Sequence, residues 1–154
     1  MKRLAGLLLI LMLVCSLSPA LAQTAECPAG GFSVWMPDHF EEVQPDPLSD
    51  PDQCFYWHGK KLAVLGYITF QGQVSLTDLP QVLTGSETES GYVSFNGMDM
   101  LYVRSEEFGN VRITYTWMSG EYSVTLEFIY SAEEASVQKT VDQVINSITF
   151  GIGL

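Results

Sequence analysis

The sharpest chemical choice in this chain lies at Cys54, which stands four residues before His58. A thiolate and an imidazole at that spacing are the parts of a nucleophile and its base, provided that the thiol is free. Cys27 competes for the same sulfur. Once the first twenty-two residues are set apart as an export leader, Cys27 and Cys54 are the two cysteines left, and an even pair in an oxidising compartment reads as a disulfide. Closing that loop stabilises a fold by about 3.5 kcal/mol on chain-entropy grounds. The disulfide is therefore expected, and with it no free nucleophile.

The second chemical feature is the acidic stretch holding Glu41, Glu42, Asp46, Asp50 and Asp52. Carboxylates offer hard oxygen ligands to calcium. However, Pro45, Pro47 and Pro51 interrupt the run, and the glycine and regular Asp spacing of a helix-loop-helix calcium site are missing. A solvated loop is expected, with calcium as an alternative ligand for Asp46, Asp50 and Asp52. His39 and His58 are too few for a zinc site, which takes four Cys or His ligands when structural. No Gly-x-Ser-x-Gly elbow or phosphate-cradling loop occurs. Glu87 with Glu89 and Glu106 with Glu107 are acid pairs of the kind that hydrolyse glycosides, but in polar turns such pairs are ordinarily solvated. The sequence assigns no catalytic residue, metal ligand or cofactor.

Aromatic side chains are the remaining candidates. Trp35, Tyr56, Trp57, Tyr92, Tyr102, Trp117 and Tyr122 fall on strands or strand ends, where most should pack in a core. Tyr56 and Tyr102 are the better candidates for a binding face, and Trp117 the better candidate for the core.

The elements that must position these groups begin after the leader. Lys2 and Arg3 precede an apolar run from Leu4 to Val14, and Ser18-Pro19-Ala20-Leu21-Ala22 completes a signal peptide cleaved before Gln23. The run is short of the ~20 apolar residues of a spanning helix. Lipidation at Cys15 is disfavoured by Val14, where a small residue is wanted. The expected organisation is a leader over residues 1–22 and one domain over residues 23–154, placed in the cell envelope, periplasm or medium without stable membrane insertion. With the leader gone, five basic residues face eighteen acidic ones, a net charge of −13. So acidic a chain repels nucleic acid phosphates and anionic lipid.

Within the domain, Phe32 to Met36 alternates as a strand ended by Pro37, and an extended acidic loop is expected to run to about Cys54. Phe55-Tyr56-Trp57 and Leu62 to Phe70 predict a hairpin. Ser75 to Gly85 predicts a short helix, with Pro80 in its first turn. Tyr92 to Phe95 and Met98 to Val103 flank Asn96-Gly97, the pair favoured in a two-residue type I′ turn. Val111, Ile113, Tyr115 and Trp117, then Val124, Leu126, Phe128 and Tyr130, alternate as half-buried antiparallel strands. Ser131 and Glu134 are spaced as a capping box, before Val137, Val141, Val144, Ile145 and Ile148 at helical intervals.

The order of these elements, with Phe32 and Pro37 in the first strand, the strand pair across Asn96-Gly97 and the closing Ile145-Asn146-Ser147-Ile148, resembles the PsbP-like superfamily over most of Gly31 to Phe150. That family includes photosystem extrinsic proteins, a nuclear Ran-binding relative and many exported bacterial proteins of unassigned role. The resemblance implies an α+β fold, an antiparallel sheet flanked by helices as an α/β/α sandwich. It implies binding or assembly, since the family has no shared catalytic constellation to transfer. The basic docking patches of the photosynthetic members have no counterpart here, so a photosystem role is not expected. The expectation is an exported, non-enzymatic module that binds an unknown protein partner through a sheet face or the disulfide-tethered acidic loop. A small extracytoplasmic hydrolase and a calcium-responsive structural protein are the alternatives.

Overall fold

A computed structural model describes residues 23–44, 48, 50–72, 75–78 and 88–151. The leader, Asp46, Glu87 and most of the Ser75 to Gly85 segment lie outside the described residues, which retain only a 3-10 turn at Leu76–Asp78 from the helix expected there.

Among the described residues, ten strands form two sheets. The chain runs β1 Gln23–Cys27, β2 Phe32–Met36, β3 Glu41–Val43, β4 Gln53–His58, β5 Leu62–Phe70, β6 Thr88–Phe95, β7 Met98–Glu107, β8 Asn110–Ser119, β9 Tyr122–Ser131, a 3-10 turn, helix α1 Gln138–Asn146, and β10 Thr149–Phe150. The large sheet has the order β3-β4-β5-β9-β8-β7-β6, and the small one β1-β2-β10. Every pairing is antiparallel.

Period-two alternation explains the large sheet. Val64 faces Phe128, which faces Ile113, and Gly66 faces Leu126, which faces Tyr115. These residues share one face and are buried, whereas Tyr67, Thr125, Glu127 and Arg112 alternate onto the other. Asn96 (φ 49°) and Gly97 (φ 82°) turn β6 into β7 in the left-handed conformation that this pair tolerates.

The apolar face has two covers. Towards β4, β5 and the Trp117 end of β8 lies the small sheet, whose Phe32 packs edge-on against Trp117 at 4.9 Å between ring centres and tilted against Phe55 at 5.8 Å. Towards β7 and β8 lies α1, burying Val141, Val144 and Ile145, with the Tyr130 hydroxyl donating to Gln138 Oε1 at 2.8 Å. The expected sandwich is corrected accordingly. The fold is mostly antiparallel sheet, and among the described residues α1 is its one α-helix, so a three-stranded sheet does part of the covering that helices were expected to do.

The closing motif is a set of ties. Ser147 Oγ accepts from the Trp35 N–H at 2.9 Å and donates to Val144 O at 2.6 Å. Asn96 Nδ2 donates to Ile148 O at 2.6 Å, and the Ser33 and Thr149 hydroxyls meet at 2.8 Å. The end of α1, the β6–β7 turn and the small sheet are thereby fixed to one another.

Three local expectations change. The acidic stretch is not one loop to Cys54, because Glu41–Val43 pairs with Tyr56 to His58 as the edge strand β3. The capping box does not form, because the Glu134 carboxylate accepts from Lys61 Nζ at 2.7 Å and the helix opens with a 3-10 turn at Ala135–Val137. Glu106 lies in β7 rather than in a turn, 3.4 Å from Arg104.

Cys27 and Cys54 are joined by a disulfide across Cα atoms 5.5 Å apart, tying β1 to β4. Replacing both by serine is expected to lower unfolding free energy by about 3.5 kcal/mol, measured by urea denaturation of oxidised protein beside the variant. Gly66 sits under the Phe55 ring, where an added Cβ would come within 2.5 Å of Cε1. Gly66→Ala is therefore expected to cost about 1–3 kcal/mol by overpacking, in the same assay.

Candidate functional site

The face of the large sheet opposite the core carries a groove of about 400 Å3 lined by Asp50, Pro51, Asp52, Gln53, Tyr67, Thr69, Thr125 and Glu127. Its floor comes from β5 and β9, where Tyr67 stands opposite Thr125, and its wall from the segment entering β4. Backbone bonds hold that wall in place. Ile68 N donates to Asp52 O at 2.8 Å and Gln53 N to Asp50 O at 3.1 Å. Side chains add to this, Thr69 Oγ1 donating to Asp52 Oδ2 at 3.3 Å and Gln53 Nε2 to the Tyr67 hydroxyl at 3.4 Å.

Glu127 is the unusual member. It lies in the middle of a central strand at 7% exposure, in a protein whose other buried polar side chains are Ser33 and Ser123 among the described residues. Burial pushes its carboxyl above the ordinary range, while Arg112, with Nε 3.1 Å from Oε1, and a hydrogen bond from Tyr67 pull it back. The Tyr67 phenol is raised by burial, then by the charge of Glu127. It therefore stays a neutral donor under all ordinary conditions. The groove thus presents three carboxylates, a phenol, an amide and two threonine hydroxyls, a surface suited to a cationic group carrying several hydrogen-bond donors.

The residues singled out from sequence are partly gathered here. Asp50 and Asp52 line the groove, and Asp46 lies outside the described residues. Tyr56 is on the same face of the sheet but one strand further out, paired with Leu65 and edge-on to the exposed His58 at 6.3 Å. Tyr102 points to the opposite face and packs on Tyr115 at 5.4 Å, with its phenol raised chiefly by burial. Trp117 is core, at 1% exposure. The Cys54 sulfur is bonded to Cys27, so no thiolate faces His58. Among the described residues no three Asp, Glu, His or Cys side chains are gathered as a metal cage, and no helix is long and apolar enough to cross a membrane. Glu127 and Tyr67 were missed. Their one signal is the single charge of β9, set between the apolar Leu126 and Phe128, with Arg112 diagonal to it on the neighbour.

No known family profile matches the sequence, and no curated protein matches it. Solved structures do. The cyanobacterial PsbP (CyanoP) of Synechocystis sp. PCC 6803 superposes with a TM-score of 0.65 at 10% identity, covering 87% of this chain and 95% of that one. A Bacteroides thetaiotaomicron VPI-5482 protein gives 0.57 at 13% identity over 84% of this chain, which spans 48% of that longer protein. The Saccharomyces cerevisiae Ran-binding protein Mog1p gives 0.51 at 10% identity, covering 84% and 95% of the two chains. Identities this low speak for architecture alone, and on that evidence the chain has a PsbP-like fold.

Proposed function

We propose that this protein is a binding module of an extracytoplasmic compartment that receives a lysine or arginine of a partner protein in the groove over β5 and β9. The observation that carries the reading is Glu127, a carboxylate buried on the face of the sheet that the core does not use. A buried charge is costly unless it is compensated. Arg112 and Tyr67 compensate it in part, and Asp50 and Asp52 beside it leave the groove short of positive charge. Small PsbP-like and Mog1-like folds support a role in protein interaction, one of them being named for binding Ran. The leader sequence and the disulfide support the extracytoplasmic location.

The groove has no built metal cage or free thiol among the described residues, and no observation favours the hydrolase or calcium readings over a protein partner.

The binding test is crosslinked capture from envelope extract with the purified, oxidised protein, beside an unrelated acidic protein of equal charge. A partner retained by this protein alone, and lost with Asp50→Asn/Asp52→Asn, is expected. Equal retention by the control or by the variant would remove the groove from the account. Glu127 gives an independent readout through pH. Its folded pKa lies above the ordinary 4.5, so its contribution to stability is full below that value and is lost as pH rises through the raised one. Glu127→Gln is expected to flatten the melting temperature against pH from about 4.5 upward, and an unchanged slope would assign the pH dependence to other groups.

A further inference from the structure

Two hairpins of the large sheet share one turn geometry and use it very differently. Asn96-Gly97 takes φ values of 49° and 82°, and Phe108-Gly109 takes 51° and 75°. The left-handed conformation at the first position tolerates asparagine and strains a bulky side chain. Asn96 also uses its side chain internally, on Ile148 O. Phe108 does not. It is 100% exposed, so the chain bears both backbone strain and a bare aromatic ring with no packing in return. The tip is held firmly, Ala132 N donating to Gly109 O at 2.9 Å, and Glu106 and Glu107 precede the ring.

A socket of matching character lies at the same end of the sheet. A groove of about 280 Å3 is lined by Phe40, Leu62 and Val137 with Lys60, Lys61 and His39 around them. Lys61 is paired with Glu134 at 2.7 Å, while Lys60 has no ion pair among the described residues. Leu62 stands opposite Tyr130, Tyr130 opposite Val111 and Val111 opposite Glu106. Tip and socket are therefore two to three strand spacings apart, roughly 10–14 Å.

We infer that the occupant of the socket is Phe108 of a second copy of this chain, with Glu107 meeting Lys60. Because plug and socket sit side by side at one end, a two-fold axis between them makes both contacts at once and closes the pair, where a head-to-tail contact would continue into a filament. Charge selects this occupant. The chain carries seven Lys and Arg against eighteen Asp and Glu, so most contacts between copies repel, and the lysine-rimmed apolar socket is a place where an acid-flanked ring is welcome. An anionic membrane would be repelled by the same glutamates. The inference uses a surface distinct from the Glu127 groove and stands or falls apart from it.

Sedimentation velocity of the purified oxidised protein over a rising concentration series tests it. Wild type is expected to pass reversibly from monomer to dimer. Phe108→Asn, which installs the residue type seen in the sister turn, is expected to lose the dimer and to melt at a higher temperature, so that the loss cannot be misfolding. Lys60→Glu and Glu107→Lys are each expected to weaken the dimer, and the double variant to restore it. A wild type that stays monomeric throughout, a monomer that sediments with anionic vesicles through Phe108, or a dimer unchanged by Phe108→Asn would each overturn the pairing. Open-ended polymers would overturn the two-fold arrangement.

Discussion

The two sheets meet on Phe32, and the rest of the architecture follows from keeping it there. The ring lies between Trp117 of β8 and Phe55 of β4 at zero exposure, and such tilted and edge-on contacts add to the gain from burial itself. A three-stranded sheet with one two-residue strand would not persist alone. It persists here because it is anchored at both margins, by the disulfide from β1 to β4 on one side and by the Trp35–Ser147 bond to the end of α1 on the other. Gly66 has the same logic, since Phe55 can lie flat against β5 only where no Cβ intrudes.

Long strands with one buried face were legible because their alternation is a local property. β2 falls on the residues that the alternation marks, β5 on the Leu62 to Phe70 arm of the expected hairpin, Asn96-Gly97 makes its turn, and Val137, Val141, Val144, Ile145 and Ile148 all turn inward. What could not be read is non-local. β1 has two inward residues, Ala25 and Cys27, too few to show a period, and it is a strand because β2 and the disulfide hold it. β3 is exposed along its length and owes its strand state to pairing with β4. The helical layer was overestimated because an apolar sheet face says that it must be covered without saying by what.

Candidate residues follow the same division. Asp50 and Asp52 were visible as acids, but their meeting with Glu127 depends on a bulge between Gln53 and Phe55 that turns this segment onto β5. Tyr102 looked like a surface aromatic because β7 carries Arg104 and Glu106 on the row that Tyr102 shares, so polar residues occur on both faces and the alternation loses its sign. Glu127 was hidden by the opposite bias. A lone acid in β9 is ordinarily taken as solvated, and its burial comes from Arg112 and Tyr67 on the strands to either side.

Core and groove are built from the same backbone, and this decides how the groove can work. On β9, Val124, Leu126 and Phe128 enter the core while Thr125 and Glu127 face the groove, and on β5 Gly66 lies under Phe55 while the adjacent Tyr67 reaches Glu127. A shift in one row is a shift in the other, so the Glu127 carboxylate and the Tyr67 phenol are held by packing that no ligand needs to organise. The wall is different, since Asp50 and Asp52 are held by loop backbone bonds and one threonine. The floor is therefore set by core packing and the wall by hydrogen bonds to the strand beside it. Both rows thus meet in one groove whose geometry depends on the β5–β9 pairing and on the way the chain enters β4.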